Sequence, residues 1–142
     1  FQTVTWRTVS PRIMFAVLTR SQIAYAFIFA HGPTEAATPD TKRKWWELLD
    51  TTVREIKKKY PDAPLAILGD MNARVGSGLS NAVGPVAPQT ENRNGELLRT
   101  AADSNSLSLV NTFLPGAEQT WCSSRGRWHR IDCIIVPRCQ LH

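Results

Sequence analysis

Two apolar runs near the start of the chain predict a pair of adjacent β-strands. They span residues 12–18 and 22–30, are rich in β-branched and aromatic side chains, and are separated by a short polar turn. In the second run, large side chains alternate with mostly small ones, namely Ile23, Tyr25, Phe27 and Phe29 against Ala24, Ala26, Ile28 and Ala30. Because both sets are apolar, we expect an inner strand whose two faces are both buried.

The residues that follow have the spacing of an amphipathic helix. Thr38 suits the N-cap and Pro39 the first helical position, while Pro61 ends the pattern. Apolar side chains between them recur at spacings of three, four and seven residues, at Trp45, Leu48, Leu49, Val53, Ile56 and Tyr60. The lysines at 57–59 lie at the negative end of the helix dipole. The pattern therefore predicts a helix over residues 38–60.

The rest of the chain alternates short apolar segments with polar loops. A continuous apolar run at residues 65–68 has the character of a buried strand and ends at Gly69, and residues 77–93 lack periodicity and predict a long loop. A short helix is predicted from Asn94, with strands at residues 107–110, 119–122 and 130–136. The order β-β-α-β-α-β-β-β predicts a layered α/β or α+β fold.

Length and composition limit the chain to one globular domain. It has 142 residues, of which 42% are hydrophobic and 20% charged, values typical of proteins with a packed core. The longest apolar run, residues 23–30, is far shorter than the roughly 20 residues that cross a bilayer, so we expect no membrane span. The chain starts at Phe1 without an initiator Met and stops six residues after an apolar strand. We therefore expect residues 1–142 to be part of a larger domain.

Basic side chains are concentrated on either side of an acidic middle. Residues 42–59 hold seven basic and three acidic side chains, residues 119–142 hold four and one, and residues 60–118 hold three and six. This distribution suits a polyanionic substrate that approaches carboxylates, with or without a bound cation, from basic flanks. A lysine-rich helix end is also common as a merely solvated face. The cysteines are three in number and show no Cys-x-x-Cys spacing, so we expect reduced thiols of an intracellular protein rather than disulfides or a zinc site.

The segment with the clearest chemical potential follows the strand at residues 65–68. Asp70 and Asn72 come directly after it, two residues apart, so their side chains would point the same way if the strand geometry continued. The carboxylate could take a proton from water or help to hold a divalent metal, and the carboxamide could bind a phosphoryl oxygen. The alternative is that both side chains only end the strand through bonds to the loop backbone.

Two further side chains are candidates for chemistry. Asp132 lies among the apolar residues of the last predicted strand, where a carboxylate is costly to bury without a partner such as a histidine that it orients. His31 ends the most apolar strand and is followed by Gly32 and Pro33. A single histidine in such a place is more often structural than catalytic.

Seven segments, taken in chain order, form a recognisable set. They are Arg12-Ile13-Met14, Ala30-His31-Gly32-Pro33-Thr34, residues 67–76, residues 94–98, Asn111-Thr112-Phe113, Thr120-Trp121 and residues 130–136. In these the chain resembles the endonuclease/exonuclease/phosphatase superfamily, and within it most of all the endonucleases of non-long-terminal-repeat retrotransposons. The resemblance implies a partial four-layer αββα sandwich of the deoxyribonuclease I type and the metal-dependent hydrolysis of phosphodiester bonds in DNA.

The resemblance also implies roles for individual residues. By motif match, Asp70 orients or deprotonates the attacking water and is a possible ligand of Mg²⁺ or Mn²⁺. Asn72 binds the scissile phosphate, with Arg74 as a weaker candidate for the same task. His31 donates a hydrogen bond to the phosphate as negative charge grows on it. Asp132 positions a catalytic histidine.

The chain departs from the family pattern at both ends. The Glu that binds the metal belongs to a strand upstream of Phe1, and the histidine that Asp132 would orient belongs to a motif downstream of the last strand; His142 lacks that context. Because such groups act together, we expect this chain to be inactive alone.

The resemblance leaves alternatives open. They are a phosphatase or phosphoesterase for small or lipid phosphates, and a catalytically dead remnant that only binds nucleic acid. For the endonuclease, the expected partners are DNA and a reverse transcriptase domain of the same polyprotein, with a nuclear location.

Overall fold

A computed structural model describes residues 3–77, 80–116 and 119–141. Its elements in chain order are β1 (Thr3–Ser10), β2 (Ile13–Arg20), β3 (Ile23–Ala30), α1 (Pro39–Lys59), β4 (Leu65–Asp70), α2 (Arg93–Ser104), β5 (Leu107–Leu109), β6 (Trp121–Cys122), β7 (Trp128–His129) and β8 (Asp132–Pro137). Short 3-10 turns follow β5 at Val110–Thr112 and β8 at Arg138–Gln140.

Six of the strands form one sheet in the order β1-β2-β3-β4-β8-β5, while β6 and β7 form a separate hairpin. The first three strands are an antiparallel meander, and β3 pairs in parallel with β4. A parallel neighbour requires a crossover, which here contains α1. Because parallel strands end at the same edge, the segment after β3 and the segment after β4 meet. His31 and Asp70 are therefore brought to one edge of the sheet.

Both helices cover one face of the sheet. Thr38 caps α1, its hydroxyl accepting from the backbone N–H of Thr41 at 3.2 Å, as its sequence position predicts. The predicted apolar positions of α1 are buried or half-buried, and those of α2 pack beside them. The core beneath the two helices contains Ile28, Ile67, Leu98, Leu109 and Ile135.

The opposite face of the sheet, which we call the open face, has no helix or second sheet over it in the residues that the structure describes. On β3, Ala26, Ile28 and Ala30 face the helices and are buried, whereas Ile23 is 53% and Phe29 41% exposed. The expectation that both faces of β3 are buried is therefore wrong for this part of the chain. Its position as an inner strand, between β2 and β4, is confirmed.

Two strands were not predicted. In β1, the apolar residues Val4 and Trp6 are exposed and alternate with threonines and Arg7, so this edge strand has no buried face to mark it. Strand β7 is only two residues long and lies in a polar, arginine-rich segment. Edge strands and short hairpins are set by backbone pairing more than by an apolar pattern.

The architecture is α/β, with one helical layer on one six-stranded sheet. The predicted α/β fold class is therefore confirmed, and the described residues contain two of the four layers of the predicted αββα sandwich. Neither helix in the described residues has an apolar stretch that could span a bilayer.

Candidate functional site

The loop that leaves β3 is bound to the end of β4 by its backbone. The N–H of His31 donates to the carbonyl of Arg12 at 2.9 Å, and the N–H of Gly32 donates to the carbonyl of Asp70 at 2.7 Å. A Cβ atom on Gly32 would lie 2.5 Å from the carbonyl oxygen of Met71, so only glycine fits this crossing. His31 itself is exposed, so its imidazole is available at the edge of the sheet.

Asp70 and Asn72 form a tight turn at the end of β4. The Oδ1 atom of Asp70 accepts from the N–H of Asn72 at 2.7 Å, and Asn72 has a left-handed φ of 48°, which asparagine tolerates better than most residues. The strand geometry therefore does not continue to Asn72. The Nδ2 atom of Asn72 instead donates to the carbonyl of Gly32 at 3.0 Å. This bond fixes the carboxamide beside the loop that carries His31.

The backbone carbonyl of Asn72 is held from the start of α2. Asn92 and Asn94 each donate an Nδ2 hydrogen to it, at 3.1 and 3.2 Å. Asn94 is fully buried and also donates to the carbonyl of Pro33 at 2.7 Å. The three segments that carry His31, Asn72 and Asn94 are thus joined by buried or half-buried hydrogen bonds, which hold the site in one geometry.

These segments form one wall of a cleft with a volume of about 710 Å³. The predicted residues His31, Asp70, Asn72 and Arg74 all line it. The opposite wall is the β6–β7 hairpin, which contributes Trp121, Arg125, Arg127 and His129. The structure therefore brings together four of the five predicted site residues and places basic side chains across from them.

The β6–β7 hairpin is itself well ordered by hydrogen bonds. The N–H of Ser123 donates to the carbonyl of Arg127 at 2.8 Å, and the N–H of Arg127 donates to the Ser123 hydroxyl at 3.0 Å. The rings of Trp121 and His129 stack, with centroids 6.0 Å apart and planes inclined by 23°. Trp128 is exposed beside them. The hairpin thus presents aromatic rings and two guanidinium groups, a combination that suits nucleic acid.

Asp132 is adjacent to the cleft but does not line it. It is the direct partner of Asp70 in the antiparallel β4–β8 ladder, so both side chains are on the same face of the sheet. Asp132 is exposed, and the burial cost anticipated from its apolar neighbours does not arise. Its predicted role of orienting a histidine is not tested by these contacts.

The buried charged side chain of this segment is that of Arg130 instead. It is 3% exposed, and its guanidinium donates to the carbonyls of Asn111 at 3.1 Å and Val86 at 3.2 Å. It therefore ties the long loop to the start of β8.

The described residues do not by themselves fit a divalent metal. No three His, Cys, Asp or Glu side chains among them come together as a ligand set. Asp70 can supply one oxygen, since its other carboxylate oxygen has no partner within the described ranges. Magnesium needs near-octahedral coordination by oxygen ligands, and one carboxylate with water holds it weakly. Burial raises the pKa of the neighbouring Cys133 thiol to about 12, so this thiol stays neutral near pH 7.

Several residues of the cleft were not singled out from the sequence. They are Glu35, Asn92, Arg125, Arg127 and His129, whereas Thr34 and Trp121 belong to the recognised segments but had no role assigned to them. The basic excess of residues 119–142 pointed to the hairpin without showing that it faces Asp70. Asn92 had no signal beyond its place before a predicted helix.

The six-stranded sheet, the helical layer on one of its faces and the cleft at the strand ends are the features of a deoxyribonuclease I-like fold. No family model matches the sequence, and no curated protein is significantly similar to it. Solved structures do match in fold. The endonuclease domain of TRAS1, a telomere-specific non-LTR retrotransposon, is 14% identical, with 98% of this chain and 57% of that chain covered at a TM-score of 0.67.

Two more structures extend the comparison. The 3′ phosphatase NExo from Neisseria, solved with a product DNA hairpin, is 20% identical, with 99% of this chain and 60% of that chain covered at a TM-score of 0.65. An endonuclease/exonuclease/phosphatase family protein from Bacteroides thetaiotaomicron is 14% identical, with coverage of 88% and 40% and a TM-score of 0.51. The chain shares its fold with these structures, and it spans less than two thirds of the length of each of them.

Proposed function

We propose that this chain is part of a metal-dependent phosphodiesterase that cuts DNA internally, an endonuclease of the retrotransposon type. The observation that carries the proposal is the single cleft in which His31, Asp70 and Asn72 face an arginine-bearing hairpin. An acid that can accept a proton, amide and imidazole donors, and flanking cations are the groups that phosphodiester hydrolysis requires. Similarity in fold to the TRAS1 endonuclease domain and to the 3′ phosphatase NExo with its product DNA hairpin supports this assignment.

In the proposed reaction the oxygen of a water attacks phosphorus, the bond from phosphorus to the leaving sugar oxygen breaks, and that oxygen takes a proton from solvent. Asp70 takes the proton of that water through the carboxylate oxygen that Asn72 leaves available. Asn72 and His31 donate hydrogen bonds to the non-bridging oxygens, where negative charge grows. Arg74 lies on the same wall and adds a positive charge. Asp132 is proposed, from the family pattern, to position a histidine.

Mg²⁺, or Mn²⁺, is the proposed cofactor, with Asp70 as its candidate ligand. Such an ion would stabilise charge on the phosphoryl oxygens and the leaving group. The described residues supply too few ligands, so no step above depends on it. By the same resemblance, a reverse transcriptase domain of the same polyprotein is a proposed partner and the nucleus a proposed location.

A second candidate function is nucleic-acid binding without catalysis. The lack of a metal-ligand set in the described residues favours it for this chain taken alone. A phosphoesterase for small phosphates is less well supported, because a cleft of about 710 Å³ that two arginines of the hairpin help to line is larger than a single small phosphate requires.

The chain is expected to bind duplex DNA and to leave supercoiled plasmid unnicked in Mg²⁺ or Mn²⁺. Binding follows from the arginines of the cleft, and the absence of nicking from its incomplete ligand set. Gel retardation and plasmid relaxation assays measure the two properties. Nicking that disappears in Asp70→Ala would show that further ligands are dispensable, and a chain that binds no DNA would refute the proposed substrate.

A further inference from the structure

Asn92 uses every hydrogen-bonding position of its side chain within the protein. Its Oδ1 atom accepts from the N–H of Gly95 and from the N–H of Arg74, both at 2.9 Å. Its Nδ2 atom donates to the carbonyl of Asn72 at 3.1 Å and to Oε2 of Glu35 at 2.7 Å. A carboxamide offers two acceptor positions and two N–H donors. Although Asn92 borders the cleft, it has no position left for a substrate.

One of these four bonds belongs to helix structure, and the other three join the start of α2 to residues that line the cleft. The bond to Gly95 caps α2, and the bond to Arg74 joins the cap to the loop after β4. The bond to Asn72 holds the one residue of the cleft that combines a left-handed backbone with a predicted phosphate contact. A left-handed conformation is unfavourable for a residue other than glycine, so it persists only where surrounding contacts hold the backbone in place.

The donor side of Asn92 is anchored to α1 by an ion pair. Glu35 accepts from Asn92 through Oε2 and from the ammonium of Lys42 through Oε1 at 3.0 Å. The Lys42 side chain is only 6% exposed and also donates to the backbone carbonyl of Glu35 at 2.8 Å. A buried ammonium with these partners has little freedom to move. Asn92 thus connects Asn72 to Glu35, a half-exposed carboxylate that is paired with the buried ammonium of Lys42 on α1.

We propose that Asn92 is a positioning residue that sets the phosphate-binding orientation of Asn72. It acts through the backbone carbonyl of Asn72, which it holds together with Asn94. The Asn72 carboxamide keeps its bond to the carbonyl of Gly32 only while its own backbone stays in place. This inference rests on the proposed function, because it assumes that Asn72 contacts a phosphate.

The variant Asn92→Ser tests the contacts of Asn92 with the site while keeping its role as the N-cap of α2. Serine is also a good N-cap and keeps an acceptor, but it removes both donors. The melting temperature is expected to change by less than about 4 °C. DNA affinity is expected to fall about threefold, less than the roughly tenfold expected for Asn72→Ala, because Asn94 still holds the carbonyl. Fluorescence anisotropy with a labelled duplex measures both affinities.

The matched control is the same substitution at the other end of α2. Asn105→Ser also removes two amide bonds, to Asp50 at 2.6 Å and to the carbonyl of Ala101 at 2.9 Å, but Asn105 lies outside the cleft. DNA affinity is expected to stay unchanged in this variant even if the melting temperature falls. A loss of affinity equal to that of Asn92→Ser would mean that any damage to α2 has the same effect and would overturn the proposal.

A double variant tests whether Asn92 acts through Asn72. In the Asn72→Ala background, Asn92→Ser is expected to lower DNA affinity by less than about 1.5-fold, because the group that it positions is already absent. A further threefold loss would overturn the inference. If Asn72→Ala lowers affinity and Asn92→Ser does not, the inference fails alone. If neither the chain nor its variants bind DNA, the proposed function fails first and the inference with it.

Discussion

Replacing Gly69 by alanine is expected to lower the free energy of unfolding by about 3–5 kcal/mol. A Cβ atom at Gly69 would lie 1.8 Å from the carbonyl oxygen of Ala30, a distance that forces the backbones of β3 and β4 apart. The φ of 149° adds strain for any residue with a side chain. Urea denaturation followed by circular dichroism measures the change.

The effect of Gly69→Ala is expected to reach the cleft as well. Ala30 precedes His31 and Gly69 precedes Asp70, so separating the two strands also separates the imidazole from the carboxylate. Gly76→Ala is the control, since a Cβ there would have its nearest contact at 3.4 Å from the Gln89 carbonyl, an ordinary distance. Equal losses of stability in both variants would contradict the close approach of β3 to β4.

The double variant Arg125→Gln/Arg127→Gln is expected to weaken binding to duplex DNA about 30-fold, taking about 1 kcal/mol for each arginine. Both side chains line the cleft opposite Asp70, and neither forms a salt bridge with a carboxylate of the described residues. Each lost phosphate contact is expected to reduce the slope of log affinity against log salt by about one. Anisotropy titrations between about 50 and 200 mM salt measure affinity and slope together.

The control for the hairpin variant removes two arginine charges from a part of the surface outside the cleft. Arg7 and Arg20 are exposed on β1 and β2, and neither lines the cleft. Arg7→Gln/Arg20→Gln is therefore expected to leave the salt slope nearly unchanged. If both double variants lower the slope alike, DNA binds through overall charge, and the hairpin has no special part in it.

The helical layer and the inner strands could be predicted from the sequence because each has a local signal. Thr38, Pro39 and the apolar spacing of α1 determine where that helix starts and which face is buried. The sequence predicts that the apolar run at residues 65–68 ends at Gly69, and in the structure β4 ends one residue later, at Asp70. Asp70 and Asn72 were found for the same reason, since polar residues directly after a buried strand stand out.

The rest of the site depends on contacts between distant segments. Asn92 bonds to Asn72, which is 20 residues away in sequence, and to Glu35, which is 57 residues away. The residues next to Asn92 in the sequence contain no signal that predicts either bond. The hairpin faces Asp70 only because β8 lies beside β4 in the sheet. The open face was mispredicted because Tyr25, Phe27 and Phe29 look buried by composition, and burial depends on what covers them.

The central claim is that the cleft formed by His31, Asp70, Asn72 and the β6–β7 hairpin binds a DNA phosphodiester. Titration of the isotope-labelled chain with a short DNA duplex, followed by amide chemical shifts in NMR, tests it without requiring catalysis. The account predicts that shifts concentrate at His31, at residues 70–74 and at residues 121–129. Shifts confined to α1 or to the open face of the sheet, with none in the cleft, would contradict it.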